Sequence, residues 1–221
     1  MSPTRSNIQS PAKNNEVMTM NLEELEKQVQ LQEDIQEIER LQRKYGYYFD
    51  NKMWAEIVDL FSDDAESVEI ADHGVLYGKK GVERIYQDVI GGRDRGPSPP
   101  WMQFIVMQIG GVVDVAPDGK TAKGRWQTWL CEAKPYGAFP RQEWLHGYYE
   151  NKYVKENGRW KFSKLHWNNT FCSPVEDGWL NLPLMGWMPL PDVDEPPSAF
   201  HPYPKHRGNV PYHFKHPITG K

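Results

Sequence analysis

The run Trp144–Phe171, WLHGYYENKYVKENGRWKFSKLHWNNTF, decides the fold. Two stretches rich in aromatic and β-branched residues flank Lys155-Glu156-Asn157-Gly158, and a Gly-containing polar gap between such runs predicts a β-hairpin. Successive side chains of a strand point to opposite faces. Trp144, Tyr148 and Val154 share one parity, while Leu145, Tyr149 and Tyr153 share the other, so both faces are apolar. The hairpin is therefore expected to be covered twice: by helices on one face, and by a partner chain or the chain's own tail on the other.

Working outward, 221 residues suit one compact domain with extensions. The hydrophobic share is only 38%, but 9 Trp, 11 Tyr and 8 Phe supply large buried areas for a core. A net charge of -4 with no Lys/Arg run argues against nucleic acid as a partner. No apolar run reaches membrane-spanning length, and the first residues, MSPTRSNIQSPAKNN, lack a signal-peptide core, so the cytoplasm is expected. Cys131 and Cys172 have no metal-type spacing and point to a reducing compartment, with a disulfide between them left open.

Residues 1–20 read as a polar, mobile arm. Asn21 with Glu24 forms a capping-box pattern, and Leu22, Leu25, Val29, Ile35, Ile38, Leu41, Tyr45 and Tyr48 then predict a long amphipathic helix. Asp50-Asn51 interrupts it and can cap a second helix through Trp54, Ile57, Val58 and Phe61. Two short strands are expected around an Asp72-His73-Gly74 turn, then a helix from Gly78 carrying Val82, Ile85, Tyr86 and Val89. Gly91–Pro100 reads as a flexible loop, 101–115 as a strand kinked at Gly110-Gly111, Lys123–Ala133 as another strand, and Lys134–Arg141 as a loop. Helices followed by a mainly antiparallel sheet is an α+β order. From Pro174 on, ten of the 18 prolines mix with aromatics, which predicts an extended arm over residues 175–221 that lies on its own pocket or on a neighbour.

Among polar residues on the aromatic strands, His146 and His166 suit general acid–base work. As a zinc pair they lack a third ligand of telling spacing, so no metal is expected. Arg125, Lys134 and Arg141 are the cations nearest the pocket-forming strands and suit a phenolate or oxyanion, while Asn151 and Asn168 would need partners if buried. Asp72-His73 reads as turn chemistry, and the tail histidines His201, His206, His213 and His216 are too spread for a metal site. There is no Gly-x-Ser-x-Gly elbow and no Gly-rich phosphate loop, so no organic cofactor is expected.

The segment GYYENKYVKENGRWKF (147–162), with VAPDGKTAKGRW (115–126) upstream, resembles the SnoaL-like branch of the NTF2-like superfamily over about Asn21–Pro174. The resemblance implies an NTF2-like cone of curved, mainly antiparallel sheet closed by N-terminal helices, and a homodimer or homotrimer formed through the outer sheet face. Dehydratases of that superfamily carry a tyrosine and an aspartate at positions similar to Tyr45 and Asp50. The resemblance thus implies Tyr45 as an acid or phenol-orienting donor, with Asp50 polarising it or a neighbouring histidine. They also often carry a histidine on the strand before the Ala-Pro-Asp-Gly turn; Val106 stands at that place here. That departure counts against proton transfer through a His–Asp pair.

The expected ligand is a small hydrophobic or aromatic molecule in an aromatic-lined pocket. The sequence also resembles the bacterial diarylpropane lyases of lignin breakdown, which expel formaldehyde from an aromatic diol to leave a stilbene. This resemblance implies a cofactor-independent lyase with Tyr45, Asp50 and His166 as catalytic residues, and Tyr48, Arg125, Lys134, His146, Tyr149, Asn151 and Asn168 against the substrate. Alternatives are a dehydratase or isomerase of an aromatic or polycyclic hydroxy compound, or a non-catalytic module that binds a small ligand.

Overall fold

The computed structural model describes residues 21–94, 100–136, 139–181, 189–198 and 211–221. The first arm, the centre of the Gly91–Pro100 stretch and much of the second arm lie outside them.

Helix α1 spans Leu22–Asp50, and the capping box is formed as the sequence predicts: Glu24 N–H donates to Asn21 Oδ1 and Asn21 N–H to Glu24 Oε2. Its buried stripe is Asp34, Ile38, Leu41, Gln42, Tyr45, Gly46 and Phe49. Leu22, Leu25 and Val29 stay exposed, because a helix of 29 residues is about 43 Å long and its first turns overhang the sheet. Asn51 ends it by donating from Nδ2 to the Tyr47 carbonyl. Helix α2, Trp54–Asp59, has no side-chain cap, so the expected capping of this helix by Asp50 does not occur.

Six strands follow: β1 Ser67–Ile70, β2 Val75–Tyr77, β3 Phe104–Val115, β4 Thr121–Tyr136, β5 Phe139–Glu156 and β6 Arg159–Pro174. Their order is β2-β1-β6-β5-β4-β3, antiparallel except for β1 beside β6. The sheet is curved and unclosed, with β2 and β3 as its edges. Between β2 and β3, helix α3, Gly78–Glu83, continues as a wider helical turn to Ile90. A 3-10 turn over Ala71–His73 separates β1 from β2; Asp72 and His73 are buried there, under the segment whose Leu190 N–H donates to the His73 carbonyl.

The β5–β6 hairpin turns at Asn157-Gly158, both at positive φ, the backbone such a tight connection demands. The kink expected in β3 is a bulge at Gly110, φ 55°, and further bulges follow His146 and Lys152; each adds local twist and bends the sheet. The loop expected over Lys134–Arg141 is much shorter. Lys134 pairs with Arg141, Pro135 with Pro140 and Tyr136 with Phe139, so β4 and β5 run nearly to the turn.

Helix α1 lies against one face, here called inner, where Tyr45 packs edge-on to Tyr149 and Phe162, with centroids 5.6 and 5.8 Å apart. The outer face is covered by the chain itself. Helix α4, Gly178–Asn181, brings Trp179 onto Phe171 at 4.9 Å, and Tyr212 of the last segment lies on Arg125. Residues 194–195 hydrogen-bond to Val75 along the β2 edge. Cys131 and Cys172 are free thiols, and no helix among the described residues is long and apolar enough to cross a membrane.

Candidate active site

Strand alternation sorts the polar residues into two sets. Along β5, Glu143, Leu145, Gly147, Tyr149, Asn151 and Tyr153 are buried in strict alternation and face inward with Tyr45. The residues between them, including His146, Tyr148 and Glu150, face outward.

On the inner face three phenols meet. The Tyr45 and Tyr86 hydroxyls are 3.1 Å apart, and the Tyr149 ring stands edge-on to Tyr45. Burial pushes all three well above the ordinary tyrosine value, so they act as neutral hydroxyls. Asp50, the last residue of α1, accepts the Val106 N–H through Oδ1 at 2.8 Å. β3 is an edge strand, so an N–H aimed away from β4 has no ladder partner. Burial raises the Asp50 carboxyl, and the Val106 hydrogen bond offsets part of that rise. Val106, where the resemblance implies a histidine, thus touches Asp50 through its backbone instead of through an imidazole.

Nearby, Asn151 Nδ2 and the Tyr153 hydroxyl both donate to Gln42 Oε1, at 3.0 and 2.9 Å, while Trp126 Nε1 donates to the Tyr153 oxygen at 2.8 Å. Asn151 Oδ1 in turn accepts the His166 N–H across a bulge. This network braces α1 on the sheet and employs Asn151 fully. Tyr48 is half-buried against the core.

Register resolves the rest of the inner face into ranks that cross the strands. Gln108, Thr128, Gly147 and Asn169 form one rank. Both amide atoms of Gln108, Thr128 Oγ1 and Asn169 Oδ1 are buried there without a hydrogen-bond partner among the described residues. Buried polar groups are normally paired, so this shelf offers hydrogen-bonding atoms to water or to a bound molecule. Val106, Leu130, Leu145 and Cys172 make the next, apolar rank.

Beyond it lie Phe104, Glu132 and Glu143. Lys134 Nζ bridges the two glutamates, bonded to Glu132 and 2.9 Å from Glu143 Oε2, with Arg141 Nε 3.5 Å from Glu143 Oε1. Burial raises the Glu132 carboxyl, Lys134 pulls it back, and the result is about 7. Burial also acts against the Lys134 cation, but the two carboxylates outweigh it and hold the ammonium firmly protonated.

His166, His146, Arg125 and Asn168 lie on the outer face. His166 Nε2 is 3.6 Å from Glu69 Oε2, whose carboxylate also accepts from Ser198. Burial depresses the imidazole, partly offset by Glu69. His146 stacks on Phe171 and meets Gln127, and burial depresses it too. Arg125 pairs with Glu150 at 2.7 Å and is sandwiched between the Tyr148 and Tyr212 rings. The structure therefore places Tyr45, Asp50, Tyr149, Asn151 and Lys134 on the inner face, with Lys134 at the far end of the strands from Asn151, and puts His166, His146, Arg125 and Asn168 behind the sheet from them. Sequence reasoning passed over Tyr86, Gln108, Thr128, Asn169, Glu132 and Glu143. Three of these carry a signal: Thr128 and Glu132 share the parity of Trp126 and Leu130 on β4, and Glu143 shares that of Leu145 and Tyr149 on β5.

The comparisons with known proteins agree with this frame. The SnoaL-like domain family matches residues 30–166. A candidate scytalone dehydratase from Novosphingobium aromaticivorans superposes with TM-score 0.56 at 18% identity, covering 76% of this chain and 99% of that one. The hexachlorocyclohexane dehydrochlorinase LinA-type3 from Novosphingobium barchaimii gives 0.57 at 18%, covering 67% and 94%. A type 2 LinA dehydrochlorinase gives 0.56 at 17%, covering 67% and 93%. No curated protein matches the chain. The family match spans more than half of the sequence, from the buried stripe of α1 to the middle of β6, and the chain belongs to the SnoaL-like family, with its NTF2-like fold.

Proposed function

We propose that the protein is a cofactor-independent acid–base lyase acting on a small aromatic hydroxylated compound held against the inner face. The leading reaction is conversion of a lignin-derived diarylpropane diol to a stilbene. The single observation that carries this reading is the pairing on one aromatic-lined face of a carboxyl of raised pKa, Asp50, with neutral buried phenols at Tyr45, Tyr86 and Tyr149.

The chemistry asks for little more. A phenolic substrate pushes electron density toward its benzylic carbon, and that hydroxyl leaves as water on receiving a proton. Asp50 takes the proton of the terminal hydroxyl, formaldehyde departs, and the electrons of the broken C–C bond form the stilbene double bond. Tyr45 and Tyr149 donate hydrogen bonds that orient the substrate, the Gln108–Thr128–Asn169 shelf receives its remaining polar groups, and Lys134 lies on the same face as the reacting groups. Acid–base groups of this kind contribute about 10²–10⁴-fold each.

The second reading is a dehydratase, favoured by the same Tyr45–Asp50 arrangement and by likeness to dehydratase and dehydrochlorinase structures. Incubating chelator-treated protein with a phenolic diarylpropane diol separates the two. Stilbene absorbance with equimolar formaldehyde establishes the lyase, a dehydrated product that keeps its carbon count establishes the dehydratase, and binding without product leaves a binding module. The domain limits 21–174, catalysis in the cytoplasm, and a dimer or trimer belong to the same proposal. A second copy would seat on the exposed outer side chains Ile105, Met107 and Ile109 of β3, which a solution mass measurement tests.

A further inference from the structure

Glu132 and Glu143 stand directly opposite one another on β4 and β5. Like charges so placed repel, and both residues are almost completely buried, Glu132 at 5% and Glu143 at 1% exposure. Apolar side chains would fill these positions at lower cost, since a buried ionic cluster rarely adds stability over a packed apolar one. Among the described residues this pair is faced by Lys134 on β4, Arg141 on β5, Cys172 on β6 (its Sγ is 4.0 Å from Glu143 Oε2) and, across from Glu132 on β3, the uncharged Phe104. Among the described residues Glu143 draws on both cations, whereas Glu132 pairs with Lys134. The division leaves Glu132 the less heavily neutralised of the two carboxyls.

Position links this cluster to the reacting groups. Phe104 packs on Phe49 at 5.7 Å, next in sequence to Asp50. Val106, which Asp50 holds, is paired with Leu130, and Glu132 is two residues further along the same face, about 7 Å on. Asp50 thus sits at the β3 end of the apolar rank Val106–Leu130–Leu145, and Glu132 lies beside the middle of that rank.

We infer that Glu132, held between Lys134 and Glu143, is a second proton-transferring group of the inner face: it protonates the departing hydroxyl while Asp50 accepts the proton. The inference rests on the proposed acid–base reading and adds its missing acid. In the diarylpropane reaction Glu132 gives its proton to the benzylic oxygen as the C–O bond breaks and water leaves. Asp50 takes the proton of the terminal hydroxyl as the C–C bond breaks, so diol becomes stilbene, water and formaldehyde with no change in oxidation level overall. Solvent then returns one proton to Glu132 and removes one from Asp50. Two carboxyls in different surroundings, Asp50 raised by burial against the Val106 hydrogen bond and Glu132 raised by burial against Lys134, are the kind of pair among which acid and base roles divide.

Carbon-13 glutamate labelling tests this without turnover. One side-chain carboxyl signal is expected to titrate near pH 7, to vanish in Glu132→Gln, to persist in Asp50→Asn, and to move when a hydroxystilbene is added. Glu143→Gln should lower that midpoint by removing the opposing charge. On a diol that the wild type consumes, Glu132→Gln should lose about 10²–10⁴-fold in kcat with KM changed only a few-fold, and Glu132→Asp should recover part of it. The inference is overturned by a wild type with no glutamate titrating between pH 6 and 8, by a signal indifferent to bound hydroxystilbene, or by full kcat in Glu132→Gln. A wild type inert toward the diol refutes the proposed reaction instead, while the titration still decides the role of Glu132.

Discussion

The two faces of the sheet are built by the same strands and differ in what covers them. The inner face lies under α1 and α3 and concentrates neutral phenols, two raised carboxyls and unpaired hydrogen-bonding atoms. The outer face lies under the chain's own later segments, and its charged groups are mutually satisfied: Arg125 with Glu150, Glu150 with His213, and Glu69 with Ser198 and His166. Among the described residues unpaired buried atoms occur on both faces, Asn168 Oδ1 on the outer one, but the Gln108–Thr128–Asn169 rank gathers four of them on the inner face.

Substitutions on the two faces should therefore diverge. The largest effect is expected from Asp50→Asn and Tyr45→Phe, each lowering kcat by about 10²–10⁴-fold, while His146→Gln and His166→Gln stay within about three-fold. Steady-state rates on the diol decide, and a collapse in His166→Gln alone would move the chemistry to the outer face. Next, Arg125→Met should cost about 1–2 kcal/mol of stability in urea unfolding, because it leaves the half-buried Glu150 with one partner fewer, yet spare kcat.

Asp34→Asn probes the far end of the inner face, where Asp34 accepts from Lys155 and Trp160. Burial opposes its ionisation, but these partners win and hold it below the ordinary aspartate range. Its contribution, about 2 kcal/mol, should be complete above that range and disappear as the pH falls through the lowered folded value, so mutant and wild type converge in strong acid. The smallest effect is expected from ending the chain before Pro211, which removes the Tyr212 and His213 contacts. A fall of about 2–4 °C in Tm with unchanged kcat is anticipated.

The fold was legible because its signals are local. Asn21 and Glu24 announce the start of α1, Asn157-Gly158 the hairpin turn, and Gly110 the bulge, each through backbone chemistry that a few neighbouring residues determine. The site was less so. Facing is read from alternation, and β5 and β6 carry aromatics on both sides because both sides are covered, so nothing in the run told His166 from Trp167. The Glu132–Glu143 pair exists only once β4 and β5 are in register. The double cover itself was anticipated, and its outer layer includes the chain's own tail.

The bond from Val106 N–H to Asp50 has a consequence for protein engineering. β3 is an open edge, and an exposed amide on such an edge invites pairing with a strand from another molecule. Asp50 occupies that amide, so in the proposed mechanism the side chain at 50 would shield the edge as well as accept a proton. Asparagine keeps the acceptor oxygen; alanine or leucine removes it and leaves a free docking point for aggregation. A light-scattering check on Asp50→Ala must come before its lost activity is read as lost chemistry, and any redesign of the reaction is confined to side chains that still reach that amide.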